Sequence, residues 1–540
     1  MSLLLLFNGG TATAPTYPLR WKLEMSTSTA YTSSADGWYA NLASLADVTS
    51  DVRIASGVTA FWGQRNAGPT SRIAQEGSLD FTLNNSASNS AGLQGYYSPD
   101  NANCRAGFEV GGFVLLSWTT SPSTWTGATK KLFYITNITP VFGTFGERST
   151  AVRCTDFIGK LGTQKLNNLP VQANKNTHDI LHALLPVFKT IPYVLVNGTG
   201  LDTFPLVFHD ITGNTTILNA IQRVVQSDLG YLFVDSFGSG DYESLVYQNR
   251  QARLSQSIFK TFDNSMQGLS VQHSSQNIDN YISVKSHPAN TGASNETLWT
   301  LQREQQISAA QTITIKANFT DPSALGQTVR LSPGTGVTPV SGTHYKMWSA
   351  AGGGGSNISA DLVVSVTFYA ANAVITLTNN NAGTGYISNP NLFLQGKIIR
   401  LYDTVESISQ VSADDLRLYG EHDLSFDMPY QDNPYTAQGF ADYLLARYGS
   451  PNTLVESIEF TGNGGNESTV TDARIGLAIS VKEDVIGIND TFWINGIELN
   501  ITSANTFRMK FYCEPASSGT FWSLEETGYS ELEVSTILGL

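Results

Sequence analysis

Alternation of polar and apolar residues with a period of two is the feature that most constrains this chain. Residues 78–83 (SLDFTL) alternate in this way. One face of the segment 361–368 carries Leu362, Val364, Val366 and Phe368. Successive side chains of a β-strand point to opposite faces of the sheet, so this pattern indicates half-buried strands. The sequence therefore predicts a mainly β protein.

Helical periodicity is strongest in three segments, residues 177–188, 215–229 and 437–448. In the second segment, Leu218, Ile221 and Val225 fall at the spacing of one buried helix face. Gly230 follows this segment, where helices commonly end on a glycine. The apolar stripe of the third segment consists of Ala437, Phe440, Ala441, Leu444 and Tyr448. Helices are thus expected beside the strands, as in an α+β arrangement.

These patterns divide the chain of 540 residues into several units. We predict a mainly β, multidomain protein with some α+β structure. The predicted units are residues 1–39, an N-terminal arm and first strands; 40–160, a first small β-barrel; 161–255, a small α+β domain; 256–290 with 412–515, a second small β-barrel carrying the helix 437–448; 291–411, an inserted β-sandwich-like module; and 516–540, an acidic C-terminal tail.

The N-terminus carries a short apolar run made of Leu3, Leu4, Leu5, Leu6 and Phe7. The run has no basic residue before it and is too short for a secretion signal. No stretch of the chain approaches the roughly 20 apolar residues of a membrane span. We expect this run to be a protein-interaction arm that adds a β-strand to an exposed sheet edge, with residues 8–10 as a hinge.

Charge argues against recognition of nucleic-acid sequence. The net charge is −14, and charged residues make up 14% of the chain. The densest basic spot is Lys130 with Lys131, which we interpret as two solvated lysines at the end of a loop. The polar surface must be built from Ser, Thr, Asn, Gln and Gly, as is common in β-rich extracellular or virion proteins.

A metal site receives little support from the sequence. His178 and His182 lie four residues apart on a predicted helix, a spacing that two metal ligands can use. The glutamate of a zinc-protease motif is missing and no third ligand is evident. Residues 235–241 (DSFGSGD) lack the alternating carboxylates of a calcium loop, and we interpret them as a hairpin turn. We predict neither a metal nor a cofactor.

Catalytic motifs are equally weak. Glu421, His422 and Asp423 are adjacent, and neighbouring residues of a strand point to opposite faces. Cys104, Cys154 and Cys513 are widely separated and are expected to be reduced thiols in the interior. A cysteine paired with a histidine has no flanking motif to support it. The sequence neither supports nor excludes a pair of catalytic carboxylates, as in glycosidases, because two such residues need not be close in sequence. We predict that the chain is not an enzyme.

An ordered set of segments resembles tail proteins of long-tailed bacteriophages, in particular their baseplate hub (minor tail protein) family. These segments are 47–52 (DVTSDV), 79–85 (LDFTLNN), 95–99 (GYYSP), 133–140 (FYITNITP), 146–148 (GER) followed by Asp156, 379–387 (NNNAGTGYI) with 392–399 (LFLQGKII), and 418–420 (LYG) followed by the helix and Ser450-Pro451. The resemblance covers residues 1–515, and its strength lies in the order of the segments rather than in any single motif.

The resemblance implies a structural virion protein at the tail tip. In this family, two small β-barrels per subunit are related by a pseudo-twofold, and three subunits present six barrels to the sixfold tail tube. It implies a homotrimeric hub that joins the tube to threefold distal components and forms part of the DNA ejection channel. Implied partners are the tail tube protein, the distal tail protein, the tape measure protein and tail fibre or other tip proteins.

The location implied for the chain is the virion tail tip, after synthesis in the host cytoplasm. The chain lacks an appended peptidase or lysozyme-like domain, so cell-wall hydrolysis is not expected. The alternative is a tail protein that binds or degrades cell-surface polysaccharide. In that case Tyr96, Tyr97 and some of the nine tryptophans would form platforms for sugars.

Overall fold

The computed structural model describes residues 18–516 except for short internal ranges. These ranges are 29–30, 34–37, 41, 66–67, 69, 143–147, 166–170, 189–193, 210–214, 237–242, 254–255, 264–265, 274–277, 322–327, 451–453 and 503–505. The described chain is built mainly from strands in several sheets, with a smaller helical content. The prediction of a mainly β protein is confirmed.

The first part of the chain forms nine strands and one helix within the described residues. They are β1 (Arg20–Ser26), β2 (Tyr31–Ser33), β3 (Trp38–Ala40), β4 (Leu45–Asp47), β5 (Val58–Gly63), β6 (Gln75–Asn84), β7 (Phe113–Thr119), β8 (Thr129–Phe142), β9 (Arg148–Thr155) and α1 (Phe157–Thr163). The predicted alternation is present in β6, where Leu79, Phe81 and Leu83 are buried and the residues between them are half-buried.

Two strands begin just after glycines that turn the chain. The apolar run from Val52 enters β5 only at Val58, after short 3₁₀ turns and Gly57 at a φ of +76°. Similarly, β7 begins at Phe113, two residues after Gly111, which has a φ of +89°. Only glycine adopts such a conformation at low energetic cost.

A small α+β region follows. Its elements are β10 (Lys175–Asn176), α2 (Thr177–Leu184), β11 (Val194–Asn197), β12 (Thr203–Phe204), α3 (Ile217–Asp228), β13 (Tyr231–Asp235) and β14 (Ser244–Gln248). The strands order as β11-β14-β13, with β11 parallel to β14. Ile221 and Val225 of α3 are buried as predicted, whereas Leu218 is only partly buried against the core.

Gly230 has a different role from the one predicted. The left-handed residue that ends α3 is Leu229, with a φ of 57°. Gly230 instead lies against Tyr247, and a Cβ atom on it would come within 2.3 Å of the tyrosine ring. Close packing, not helix termination, requires the glycine here.

Three strands then lead into the inserted module. They are β15 (Ile258–Phe262), β16 (Gly268–Gln272) and β17 (Tyr281–Ser286). The module contains β18 (Ala289–Thr291), β19 (Glu296–Thr300), β20 (Gln305–Ile307), β21 (Thr312–Asn318), β22 (Thr328–Leu331), β23 (Trp348–Ala350), β24 (Gly354–Asn357), β25 (Leu362–Phe368), β26 (Asn372–Asn379), β27 (Gly385–Ile387), β28 (Phe393–Gly396) and β29 (Ile398–Leu401). It has its own hydrophobic core, which includes Met347, Ile375 and Leu394.

The C-terminal part of the described chain comprises β30 (Val405–Gln410), α4 (Ala413–Tyr419), β31 (Asp423–Met428), α5 (Pro434–Tyr448), β32 (Leu454–Thr461), α6 (Glu467–Asp472), β33 (Ala478–Glu483), β34 (Ile488–Thr502) and β35 (Thr506–Pro515). All five residues of the predicted stripe in α5 are buried. The helix packs on the three-stranded sheet β30-β17-β31, against residues such as Val284 and Phe426.

The largest sheet has 13 strands and joins the first part of the chain to the last. Its main path runs β16-β32-β35-β34-β5-β6-β9-β8-β7-β1-β4, and β33 carries β15 on a branch from β34. The described strands do not return on themselves along this path. Closure into two barrels related by a pseudo-twofold therefore stays a prediction.

Candidate assembly interface

The two halves of the large sheet meet where β5 pairs with β34. Gly63 is opposite Gly496 in this antiparallel register. A Cβ atom on Gly63 would lie 2.3 Å from the carbonyl oxygen of Asn495, and one on Gly496 would lie 2.3 Å from the carbonyl oxygen of Gln64. The backbones approach so closely that both positions require glycine.

Buried tryptophans reinforce this junction from within. The rings of Trp62 and Trp118 lie 6.0 Å apart, and both side chains are almost fully buried. The indole Nε1–H of Trp118 donates a hydrogen bond of 3.0 Å to the carbonyl oxygen of Val470, which belongs to α6. The hydroxyl of Thr129 donates one of 2.7 Å to the carbonyl oxygen of Thr471. The sequence-distant halves of the sheet thus share one core.

Lys131 ties the large sheet to the α+β region. It is 1% exposed, so the interpretation of this lysine as a solvated loop residue is wrong. Its Nζ donates to the carbonyl oxygen of Val234 at 2.8 Å and lies 3.4 Å from Oδ1 of Asp235. Burial lowers the pKa of the Lys131 amine, and the nearby Asp235 carboxylate opposes that shift.

A second buried polar contact lies close by. The phenol of Tyr134 donates to the carboxylate of Glu243, with oxygen distances of 2.7 and 3.0 Å. The Nζ atom of Lys160 lies 4.0 Å from the centroid of the Tyr134 ring. Burial lowers the pKa of the Lys160 amine to about 8. Together with Lys131, the contact between Tyr134 and Glu243 holds the α+β region against β8.

The residues considered for metal binding or catalysis do not assemble into a site. The ring centroids of His178 and His182 lie 4.7 Å apart, and the ring planes are tilted by 48° to each other. The described part of the chain contains no group of three or more His, Cys, Asp or Glu side chains that could hold a metal ion. The His422 ring contacts the carbonyl oxygen of Tyr419, whereas Glu421 and Asp423 are exposed.

The cysteines lie apart in the fold. Cys154 and Cys513 are buried, and Cys104 is half-buried. Burial raises the pKa of the Cys154 thiol well above its ordinary value. A thiol with a raised pKa is a poor nucleophile, because the thiolate is the reactive form.

Several of the aromatic residues proposed as sugar platforms are internal. Tyr97 is fully buried, and its hydroxyl donates a hydrogen bond of 2.6 Å to Asp51. The Tyr96 ring packs edge-on against it at 5.1 Å. Trp62, Trp118 and Trp493 are buried as well. Tyr97 and these three tryptophans therefore pack the core, whereas Tyr96 is half-buried.

The large sheet has open edges that can accept another chain. β4 pairs with β1, β16 pairs with β32 and β15 pairs with β33, each along one side within the described residues. Ile258, the first residue of β15, is 54% exposed. Unpaired strand edges that carry apolar side chains are natural docking sites for a further strand.

A second apolar feature lies at the tip of the hairpin between β33 and β34. Val485 is 94% exposed and Ile486 is 50% exposed. The carboxylate of Glu483 accepts hydrogen bonds from the backbone N–H groups of Val485 and Ile486, at 3.3 and 2.9 Å, which orders the turn. We did not predict this exposed pair from the sequence. The pattern of two adjacent aliphatic residues between Asp484 and Gly487, two residues typical of turns, could have indicated it.

The predicted interaction arm cannot be placed in this interface. Leu3, Leu4, Leu5, Leu6 and Phe7 lie outside the described residues.

Among the described residues, no helix has the length and apolar character needed to cross a membrane.

No protein-family model and no curated protein matches this sequence. Among solved structures, the chain is similar to the 43 kDa tail protein of prophage MuSo2 from Shewanella oneidensis, at 8% identity and a TM-score of 0.43 over 92% of this chain and 98% of the other. It is similar to a tail protein from Neisseria meningitidis MC58, at 9% identity and a TM-score of 0.46 over 92% and 96% of the two chains. A prophage tail protein from Listeria monocytogenes EGD-e has 8% identity and a TM-score of 0.39 over 92% and 95%.

These three similar structures are tail proteins, the class that the sequence resembles. TM-scores below 0.5 at such low identity do not transfer a role from one chain to another. The role of this chain therefore has to be argued from its own sheets and edges.

Proposed function

We propose that this chain is a non-enzymatic structural protein of a bacteriophage tail, the hub at the tail tip. Three copies form a homotrimer that adapts the sixfold tail tube to threefold distal components and encloses part of the DNA ejection channel. The observation that carries the proposal is the 13-stranded sheet, whose two halves are joined through β5 and β34 and whose ends are open.

The physical argument is one of matching symmetry. The sheet contains seven strands on the β5 side of the junction and six on the β34 side, so each chain offers two β-units of similar size. Three chains would present six such units around an axis. Edges at β4, β15 and β16 allow strands of neighbouring copies to pair, and closed rings are the usual form of homo-oligomers.

The proposed partners are those of a tail-tip protein. They are the tail tube protein, the distal tail protein, the tape measure protein and tail fibre or other tip proteins, in a virion assembled after synthesis in the host cytoplasm. The arm made of Leu3 to Phe7 would add a strand to a neighbour's sheet edge. Five apolar side chains left in water would forgo about 1.5–3 kcal/mol each of burial.

Imaging of an assembled particle tests the central proposal. We expect density for this chain at the tail tip in three copies, with its two β-units alternating around the channel. The recombinant chain should sediment as a trimer with an interface of more than about 2,000 Å². A monomer both in solution and in the particle would contradict the proposal.

Deletion of residues 2–7 tests the arm separately. The truncated chain should fold normally, since these residues precede β1 (Arg20–Ser26), but it should enter particles poorly. The control exchanges Ser2 for alanine and leaves the apolar run intact. Incorporation of the truncated chain at the level of the full-length protein would contradict the role of the arm while leaving the hub proposal untouched.

A further inference from the structure

Lys131 and Asp235 meet in the interior as a pair of functional groups that is almost closed to solvent. Their side chains are each 2% exposed, and Nζ of Lys131 lies 3.4 Å from Oδ1 of Asp235. The centroid of the Trp62 ring lies 4.8 Å from the same Nζ. Burial of two ions is costly even after relaxation of the protein. The separation exceeds that of a direct charge-assisted hydrogen bond, so the contact offsets only part of this cost.

The surroundings of the amine favour a nucleophile. Nζ of Lys131 donates a hydrogen bond of 2.8 Å to the carbonyl oxygen of Val234. A neutral amine can donate this bond and still offer a lone pair to a neighbouring carbon, whereas an ammonium has no acceptor lone pair. Burial lowers the pKa of the Lys131 amine, and desolvation in an apolar site is one way in which proteins activate a lysine.

The carboxyl group of Asp235 is held at both oxygens. Oδ1 accepts a hydrogen bond of 2.8 Å from the backbone N–H of Ser236, and Oδ2 accepts one of 2.9 Å from the backbone N–H of Ile475. Such fixed donors stabilise the negative charge that develops on an oxygen when a nucleophile adds to the carbonyl carbon. They also keep the carboxyl group beside Nζ, and groups held together in this way react far faster than the same groups free in solution.

A second buried carboxyl group, that of Asp156, acts on Lys131 electrostatically. Asp156 is 1% exposed, and burial raises its pKa to about 6. Its charged form favours the ammonium form of Lys131. Protonation of Asp156 therefore removes one of the interactions that oppose a neutral amine at this position.

We propose that Lys131 and Asp235 condense into an intramolecular amide, an isopeptide bond that links β8 of the large sheet to the end of β13. A proton first passes from the ammonium to the carboxylate. Nζ then adds to Cγ, so that a C–N bond forms, and the C–O bond to the protonated oxygen breaks. That oxygen leaves as water with a second proton from Nζ. The step needs no oxidant, reductant or activating reagent.

Burial favours the amide over the ion pair. Water solvates a free ammonium and a free carboxylate strongly, and this solvation keeps the two groups apart in solution. The interior withdraws it, so the two ions are exchanged for one neutral amide and one water molecule. A site closed to solvent also protects the new bond from hydrolysis.

Mass spectrometry of the intact chain tests the proposal. The folded parent chain should be lighter than its sequence mass by one water molecule. Lys131→Arg should have its full sequence mass, because a guanidinium stays protonated and does not attack a carboxyl carbon. Asp235→Ala should also have its full sequence mass, since it lacks the carboxyl group.

The control is Lys22→Arg. Nζ of Lys22 lies only 2.8 Å from Oε1 of Glu24, but the two side chains are 17% and 18% exposed. This variant should keep the loss of one water molecule. A parent chain that stays at its full sequence mass after prolonged incubation in the folded state would overturn the proposal. A loss of water that persists in Lys131→Arg would overturn it as well, because the dehydration would then lie elsewhere.

Tryptic digestion of the denatured parent chain tests the bond without any variant. Trypsin does not cut after a lysine that is acylated on Nζ. The digest should therefore contain residues 131–148, which carry Lys131, joined to residues 224–250, which carry Asp235. An ion pair does not survive denaturation, so recovery of residues 132–148 and 224–250 only as separate peptides would overturn the proposal. Neither experiment depends on whether the chain is a tail hub.

Discussion

At the residue scale, Asp156 is a buried carboxylic acid whose titration should be visible in the stability of the protein. It caps α1 through hydrogen bonds from the backbone N–H groups of Ile158 and Gly159. Burial raises its pKa from 3.8 to about 6. The folded state therefore favours the protonated form of Asp156. The resulting stabilisation of the folded state is fully present below about pH 4 and is lost as the pH rises through about 6.

Asp156→Asn should remove this pH dependence. An asparagine amide resembles the protonated acid and is a good N-cap residue. We expect the variant to match the parent chain at pH 4 and to exceed its free energy of unfolding by about 3 kcal/mol at pH 7, measured by urea unfolding. Asp414→Asn, at a side chain that is 88% exposed, serves as the control. The same advantage at both pH values would contradict the prediction.

The glycine pair at the sheet junction gives a second prediction at this scale. Gly63 has a φ of +93° and no room for a Cβ atom, whereas Gly464 has a φ of +88° and nothing within 4 Å of a Cβ position. Alanine should meet similar backbone strain at both sites, about 1–2 kcal/mol. We expect Gly63→Ala to cost more than about 3 kcal/mol, because the backbone of β34 must also move. Equal shifts of the denaturant midpoint would show that the close approach is not needed.

At the scale of elements, the open edge of β15 can be tested by mutation, with a residue of similar exposure in the inserted module as the control. Ile258 is 54% exposed on β15 of the large sheet, and Val363 is 52% exposed on β25 of the inserted module. If copies associate through the large sheet, Ile258→Lys should bury a charge without a partner and lower the association constant by at least about tenfold.

Analytical ultracentrifugation of the two variants measures this effect. Val363→Lys should associate like the parent chain, and both variants should keep the parent's thermal midpoint, because both side chains are exposed in the single chain. If Val363→Lys no longer associates and Ile258→Lys still does, the prediction is wrong and the interface lies on the inserted module.

Elements with a strong local period were predictable from the sequence. The stripe of α5 and the alternation of β6 are buried as predicted, since both follow from the geometry of a single element. Element ends were less predictable from the apolar pattern. A left-handed glycine such as Gly111 delays the start of a strand, and a tightened last turn such as residues 185–187 ends a helix early.

At the scale of the whole molecule, the features missed from the sequence depend on contacts between distant residues. Arg253 and Asn495 are 242 positions apart, and Lys131 meets Asp235 across 104 positions. Neither contact has a local signal, so a lysine beside a turn gave no indication that it would be buried. The mainly β class was predictable because many local patterns each indicate a strand. The pairing of β5 with β34 was not predictable, because it joins residues that are far apart in the sequence.

The proposed ejection channel should not carry a positive charge. The net charge is −14, and four of the 31 basic residues, Arg72, Arg105, Lys131 and Arg253, are buried among the described residues. A channel through which DNA slides should not hold it, and non-specific affinity for DNA comes mainly from contacts of lysine and arginine with phosphates. We expect the proposed trimer to bind duplex DNA more weakly than a Kd of about 10⁻⁴ M near 0.15 M salt, as measured by fluorescence anisotropy. A salt concentration about threefold lower should change this Kd little, because binding would release few counterions. Saturable binding in the micromolar range with a steep dependence on salt, or an imaged channel lined with lysine and arginine, would contradict a passive role in DNA ejection.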